Sequence, residues 1–213
     1  MNILFCSLSD RPDFSDKIFE HNTEYFKRHN YRFVIEKKSL CNDRHPAWSK
    51  LLLVMREMKN NPSYDYIVWI DDDILIMDKE KCFEDFIIQY PFENFLVCSD
   101  CGNAKWVLNS GLFVCKNNDQ TIDMLNEIYE KADKKYYHTP VWEQDAICDY
   151  YDKIMKNNPR QAQKKIKIIP HRTMQSIHMD YRPGDFSLHL AGMPMEKRMK
   201  MRDYNLYEKQ KSK

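Results

Sequence analysis

From its first residues the chain alternates short apolar runs with amphipathic stretches, and that alternation limits its fold more than any other feature. Asn2 to Ser7 reads as a buried strand. A helix follows, capped by Ser15, with Ile18, Phe19, Asn22, Tyr25 and Phe26 on one face, and it ends near Asn30. Tyr31 to Glu36 reads as a second strand. A second helix is predicted from about Pro46 to Lys59, with Trp48, Leu51, Leu52, Met55 and Met58 as its stripe and Pro46 in its first turn. Tyr64 to Ile70 is a third strand. This β-α-β-α-β order predicts an α/β fold with a mostly parallel central sheet between helical layers. Ligands of such sheets bind outside the carboxyl ends of the strands.

Further along, Phe83 to Gln89 reads as a short helix, and Phe95 to Cys98 and Leu108 to Cys115 as strands. Asn118 is placed to cap a helix carrying Ile122, Leu125, Ile128, Tyr129 and Ala132. Trp142 to Lys156 has a helical pattern, Ile166 to Ile169 and Phe186 to Leu190 are late strands, and a basic, Met-rich helix closes the chain.

The third strand stops at Asp71-Asp72-Asp73. Three carboxylates at a sheet edge repel one another unless a cation offsets them. In an extended backbone Asp71 and Asp73 point the same way and can share a hard divalent ion. The bland alternative is a solvated acidic loop. Glycine bears on the choice. The chain has four, Gly102, Gly111, Gly184 and Gly192, where average usage of about 7% would give roughly 15. No two lie close enough for a glycine-rich phosphate loop or a dinucleotide turn. If the chain binds a nucleotide, it must therefore do so by other means.

Composition excludes several classes. A content of 43% hydrophobic and 13% aromatic residues supports a full core, and a net charge of +1 offers no global field for nucleic acid. No run of apolar residues is long enough to span a membrane, and the N-terminus does not read as a signal peptide. Seven scattered cysteines suggest reduced thiols in a cytoplasmic setting. Cys98-Ser99-Asp100-Cys101 reads as two strand-end thiols rather than a zinc knuckle, and His171, His178 and His189 lack compact ligand spacing. Glu196 to Lys213 carries +4, leaving −3 for the rest. The stretch at 194–213 reads as a basic helix or tail and the link to any further domains, while no composition break marks a domain boundary.

Five segments in order carry a resemblance: His45-Pro46-Ala47-Trp48-Ser49-Lys50, Trp69-Ile70-Asp71-Asp72-Asp73, Leu108-Asn109-Ser110-Gly111-Leu112-Phe113, Trp142-Glu143-Gln144-Asp145, and Phe186-Ser187-Leu188-His189-Leu190-Ala191-Gly192. They resemble the GT-A-fold glycosyltransferases, most of all the yeast-type galactosyl- and mannosyltransferases and plant xyloglucan xylosyltransferases, and glycosyltransferase domains of the chlorella-virus kind. The resemblance implies a three-layer α/β/α sandwich over about 1–193. It implies a Mn²⁺- or Mg²⁺-dependent transfer of a sugar from a nucleotide sugar, UDP-linked, to a hydroxyl of a glycan acceptor. If the chain is viral, the host-cell cytoplasm is its place.

By that resemblance Asp71, Asp73 and His189 hold the metal, and Asp71 also touches the ribose. Asp72 faces the donor sugar, and Asn109, Ser110 and Gly111 form the turn beneath it. Ser7, Asp10 and Arg11 line the nucleotide pocket, Lys50 reaches a phosphate, and Gly192 admits the diphosphate backbone-close. Asp145, then Glu143, is the candidate base for the acceptor hydroxyl in an inverting enzyme. In a retaining enzyme a residue near them stabilises the oxocarbenium-like transition state instead. Trp142, His171 and Arg172 line the acceptor side. Plain readings stand beside these: a core histidine at 189, a hairpin bulge at 109–111, a solvated Lys50, a capped helix-entry loop at 7–11, a core Trp142, and carboxylates placed at a helix N-terminus. A dehalogenase-type phosphatase with Asp71 as nucleophile is the rival enzyme. Its downstream Asp after Gly184-Asp185 is missing. A non-catalytic nucleotide- or glycan-binding module is the other alternative.

Overall fold

The structure, a computed structural model, describes residues 1–101 and 107–211, so Gly102 lies outside the described residues. The strands are β1 (Ile3–Leu8), β2 (Arg32–Glu36), β3 (Tyr66–Ile70), β4 (Ile74–Ile76), β5 (Phe95–Ser99), β6 (Leu108–Lys116), β7 (Ile166–Ile169), β8 (Ser176–Ile177) and β9 (Ser187–His189). The helices are α1 (Pro12–Arg28), α2 (Ser49–Asn60), α3 (Glu84–Ile87), α4 (Asp119–Lys131), α5 (Trp142–Asn157), α6 (Pro159–Lys165) and α7 (Met195–Lys211).

Six strands form the central sheet in the order β2-β1-β3-β6-β5-β7. Neighbours run parallel except at β6, which is antiparallel to both β3 and β5. The sheet is thus mostly parallel, as the alternation predicts. Its two faces are covered separately. Leu4, Cys6, Ile67 and Trp69 pack against α2, α4 and α5, while Ile3, Phe5, Val68 and Ile70 pack against α1 and α3 through Tyr25, Phe26, Phe83 and Phe86. Period-2 alternation along β1 and β3 therefore sends consecutive residues to opposite layers. A second sheet, β4-β9-β8, stands beside the first. The sequence reading has no β4 or β8: three- and two-residue strands carry no periodicity to detect.

Two local expectations are corrected. Ser15 does not cap α1. The helix starts at Pro12, with Arg11 before it making no side-chain cap, because proline is pre-set for a first turn. The Ser15 hydroxyl donates to the Arg11 carbonyl at 3.0 Å instead. Pro46–Trp48 is a separate 3-10 turn ahead of α2. Asn118 does cap α4, its side chain accepting from Thr121 N–H at 2.9 Å. The terminal helix α7 packs on the same body: Arg202 is buried and donates to the Asp13 and Phe14 carbonyls at 3.1 and 2.8 Å, and Met201 joins the small cluster of Phe14, Ile18, Leu75 and Leu188.

Candidate active site

The acidic tripeptide leaves β3 through a turn rather than continuing extended. Ile74 N–H donates to the Asp71 carbonyl at 3.2 Å, and β4 begins at once. The turn, not a straight strand, brings Asp71 and Asp73 together. Antiparallel pairing of β4 with β9 sets Ile74 opposite His189, and Leu190 N–H donates to the Asp73 carbonyl at 3.0 Å. His189 Nε2 consequently lies 3.1 Å from Asp73 Oδ1 and 3.8 Å from Asp71 Oδ2. Among the described residues these three form a group whose ligand atoms all lie within 4.8 Å of one another.

Each carboxylate is divided between its two oxygens. Asp71 Oδ1 accepts from Lys50 Nζ at 3.0 Å and from Trp69 Nε1 at 2.6 Å, which leaves Oδ2 toward His189. Asp73 takes His189 on one oxygen and Arg198, from α7, on the other at 2.8 Å. Burial would raise the Asp73 carboxyl, but His189 and Arg198 overcome it and hold it well below the usual carboxylate range. Burial likewise opposes charge on His189, and Asp73 wins, so the imidazole is raised above its ordinary value. Asp72 points to the other layer, into the Arg11 guanidinium (3.1 Å from Nε) and the Ser9 hydroxyl. Its burial and Asp73 nevertheless push it up to about 6, against Arg11 and Ser9.

The β5–β6 ladder slips between Val97↔Phe113 and Cys98↔Asn109, leaving Ser110, Gly111 and Leu112 as a bulge. Of the Asn109-Ser110-Gly111 segment, Asn109 is still paired and Ser110 and Gly111 lie in a bulge inside the strand, facing the Asp71, Asp73 and His189 group. Gly111 O accepts from Asp71 N–H at 2.8 Å. A Cβ on Gly111 would sit 2.2 Å from His189 Cε1, so only glycine lets the imidazole lie there. Ser110 N–H donates to Gln144 Oε1 at 2.9 Å and its hydroxyl to Glu143 Oε1 at 2.8 Å. Lys50, expected to reach a phosphate, instead commits its ammonium to Asp71, to Glu143 Oε1 at 2.7 Å and to the Ser110 carbonyl at 3.3 Å. An ammonium has three donors, and all are used. Glu143 is raised by burial, against Lys50, and its Oε2 is buried with no partner.

The remaining predicted residues lie around this core. Ser7 is fully buried on the α1 side, its hydroxyl unpaired, and Ser9 meets Asp72 where Ser7 does not. Asp10 is exposed beside Arg11 in the first loop. Asp145 accepts from Thr139 Oγ1 at 3.3 Å. Trp142 stacks on His45, ring centres 4.0 Å apart, and Arg172 grips Asp185 through two nitrogens at 3.0 and 2.6 Å. Both Trp142 (φ 40°) and Arg172 (φ 68°) hold the left-handed backbone that such side chains rarely adopt. His171 Nε2 lies 3.3 Å from Asp180. Gly192 has φ +72° with open space where a Cβ would stand. Sequence reasoning passed over Ser9, Gln144 and Arg198. Gln144 stands inside the Trp142–Asp145 motif and could have been found there. Arg198 has no sequence signal beyond its basic helix.

A family model described as the galactosyl transferase GMA12/MNN10 family matches residues 6–97. A probable alpha-1,2-galactosyltransferase, gmh1, of Schizosaccharomyces pombe is 24% identical over 85% of this chain and 64% of its own length. The chain spans less than two thirds of the first curated relatives it matches, at 64%, 46% and 61%. Among solved structures, a glycosyltransferase involved in the glycosylation of the major capsid of PBCV-1 superposes with a TM-score of 0.77 at 14% identity, over 96% of this chain and 100% of that one. A mutant form of Drosophila beta-1,4-galactosyltransferase 7, in complex with manganese, UDP-Gal and xylobiose, gives 0.52 at 14% identity, over 93% and 75%. No helix among the described residues is long and apolar enough to cross a membrane. By its sequence relatives and by a GT-A fold that superposes on solved glycosyltransferases, the chain is similar to the galactosyl transferase GMA12/MNN10 family.

Proposed function

We propose that the chain is a divalent-metal-dependent transferase that moves a sugar from a UDP-linked donor to a hydroxyl of a glycan or glycoconjugate. The observation that carries this reading is the convergence of Asp71, Asp73 and His189 at the carboxyl end of β3. The donor set fits Mn²⁺ or Mg²⁺: two carboxylate oxygens suit a hard cation, and one imidazole favours manganese over magnesium. The ligands are also pre-oriented, Asp71 by Lys50 and Trp69, and His189 by its seat on Gly111. The Drosophila neighbour that carries manganese and UDP-Gal supports the same pairing of metal and nucleotide sugar.

When bound, the ion offsets charge on the departing diphosphate as a Lewis acid. The chain's own residues do the rest. Asp71, Asp73 and His189 hold the ion. Asp10 and Arg11 line the nucleotide side, with Asp72 fixed between Arg11 and Ser9. Asn109, Ser110 and Gly111 form the floor under the donor sugar, and Gly192 leaves space for the diphosphate. Glu143 Oε2, buried and unpartnered, accepts a hydroxyl of the bound sugar. Asp145 stands on the acceptor side with Trp142, His171 and Arg172, and serves as the base if the reaction inverts.

Calorimetry of UDP binding with and without Mn²⁺ tests the reading. Mn²⁺ is expected to tighten UDP binding in the wild type and to have little effect in Asp73→Ala. Equal UDP affinity with and without metal in the wild type refutes it. A panel of UDP-sugars scored for Mn²⁺-stimulated hydrolysis separates an enzyme from a non-catalytic binding module.

A further inference from the structure

A second chemically loaded cluster lies away from the metal centre. His29 follows α1, and its ring stacks on Tyr31 with centres 5.5 Å apart. Its Nε2 lies 2.9 Å from the Lys79 carbonyl oxygen. A carbonyl only accepts, so Nε2 carries the proton and Nδ1 presents a lone pair. Nδ1 faces the Cys82 sulfur at 3.6 Å. Nucleophile, base and a group orienting the base thus stand in line. Cys82 is exposed, whereas Cys6, Cys41, Cys98, Cys115 and Cys148 are buried and Cys101 is half-buried.

The surroundings keep this arrangement in place and leave it open. The Tyr25 hydroxyl donates to the Lys81 carbonyl at 3.0 Å, which ties the segment before α3 to α1. Tyr31 bonds both Glu84 and the Phe83 N–H. A cleft of about 310 Å³ borders His29, Tyr31 and Glu84, together with Asn2 and Tyr64 at the amino ends of β1 and β3. The metal group stands at the other end of those strands. The charged and titratable groups around the pair are Tyr25, Tyr31 and Glu84, the ion-paired Arg28 and Glu80, and, along the chain, Lys81 and Lys79, the latter paired with Glu24.

We propose that Cys82 and His29 form a nucleophilic thiol–imidazole pair that exchanges with low-molecular-weight disulfides, a covalent modification site distinct from the metal centre. The thiol proton passes to His29 Nδ1. The thiolate sulfur attacks one sulfur of the incoming disulfide, a new S–S bond forms and the old one breaks. The departing thiolate then takes the proton from His29. The incoming disulfide is itself the oxidant: Cys82 ends in the mixed disulfide and one low-molecular-weight thiol is released.

Oxidised glutathione is the probe, followed by intact mass and peptide mapping on the full chain. The expected result is a first adduct at Cys82, formed roughly a hundredfold faster than at Cys101 and slowed by about the same factor in His29→Gln, as loss of a positioned base predicts. His29→Gln retains a side-chain donor for the Lys79 carbonyl, and its melting curve checks folding. The Cys82-to-Cys101 rate ratio is read in the wild type alone and does not depend on that variant. First modification at Cys101 or a buried cysteine, no adduct at all, or equal Cys82 rates in wild type and a folded His29→Gln each overturn the proposal.

Discussion

Replacing Gly111 by alanine tests the proposed metal centre at one carbon atom. The new Cβ would lie 2.2 Å from His189 Cε1, 2.8 Å from Nδ1 and 2.9 Å from Nε2. Non-bonded carbons rest at about 3.5–4.0 Å, so the imidazole must retreat by about 1.3 Å or more. It has nowhere to go: His189 is 3% exposed, and β9 holds its backbone against β4. The overpacking costs about 1–3 kcal/mol of stability. The ligand geometry suffers more, because a metal site tolerates about 0.2 Å. Mn²⁺ affinity should therefore fall at least about 10- to 100-fold, the range seen when a ligand's support is lost. Mn²⁺ binding followed by electron paramagnetic resonance, beside urea denaturation, measures both effects. Gly184→Ala is the control, since Gly184 has φ +98° with nothing within 4 Å. It should lose about 1 kcal/mol through backbone strain and keep its Mn²⁺ affinity. In a His189→Ala background the Gly111→Ala penalty should largely vanish, because contacting residues couple. Wild-type Mn²⁺ affinity in Gly111→Ala, or an undiminished penalty without the imidazole, would refute the reasoning.

Two further outcomes follow from buried charge. Lys50→Met strands Asp71 and Glu143 without their shared ammonium and should cost about 3–5 kcal/mol by urea denaturation. Adding Glu143→Gln removes one of the stranded charges and should recover part of the loss. Asp185 is opposed by burial but held at about 2 by Arg172, Ser176 and the Arg182 N–H. A depressed carboxylate contributes stability that is present above its unfolded value near 3.8 and lost as pH falls through the folded value. Wild type should thus exceed Asp185→Asn by about 2 kcal/mol at neutral pH, the gap closing between about pH 4 and 2. A gap that does not change with pH would count against the pairing.

Legibility in the sequence followed the range of the interactions. The layers were readable because period-2 strands and 3.6-period helices report local burial, and Phe5 and Cys6 do face opposite cores. Asp71 and Asp73 were readable because three charges end an apolar strand. What brings them together was not, since the turn depends on β4, and β4 exists only by pairing with β9 more than a hundred residues on. His189 came from the family resemblance alone, as a lone histidine on a short strand has no signature. The 109–111 segment was legible as turn or bulge, but its contact with His189 was hidden, because a glycine does not announce what fills the space of its missing side chain.

The same limit governs the charges. The acidic triplet, read alone, demands an external cation, yet the chain supplies much of the compensation itself. Arg11 answers Asp72, Lys50 serves Asp71 and Glu143, and Arg198 holds Asp73. Four carboxylates thus face three permanent cations drawn from three different parts of the chain. With His189 neutral the site keeps one net negative charge, enough to attract a divalent ion. Once an ion is held, the balance turns to one net positive charge, the sign that favours a diphosphate. The folded chain without metal is only mildly electronegative there, so it should fold without the ion and gain from it only the stability that binding to the folded state adds, while tight diphosphate binding should need the ion. A fully uncompensated triplet would have coupled folding to metal supply. The internal cations separate the two, and the three elements that supply them (α2, α7 and the loop before α1) contribute no metal ligand.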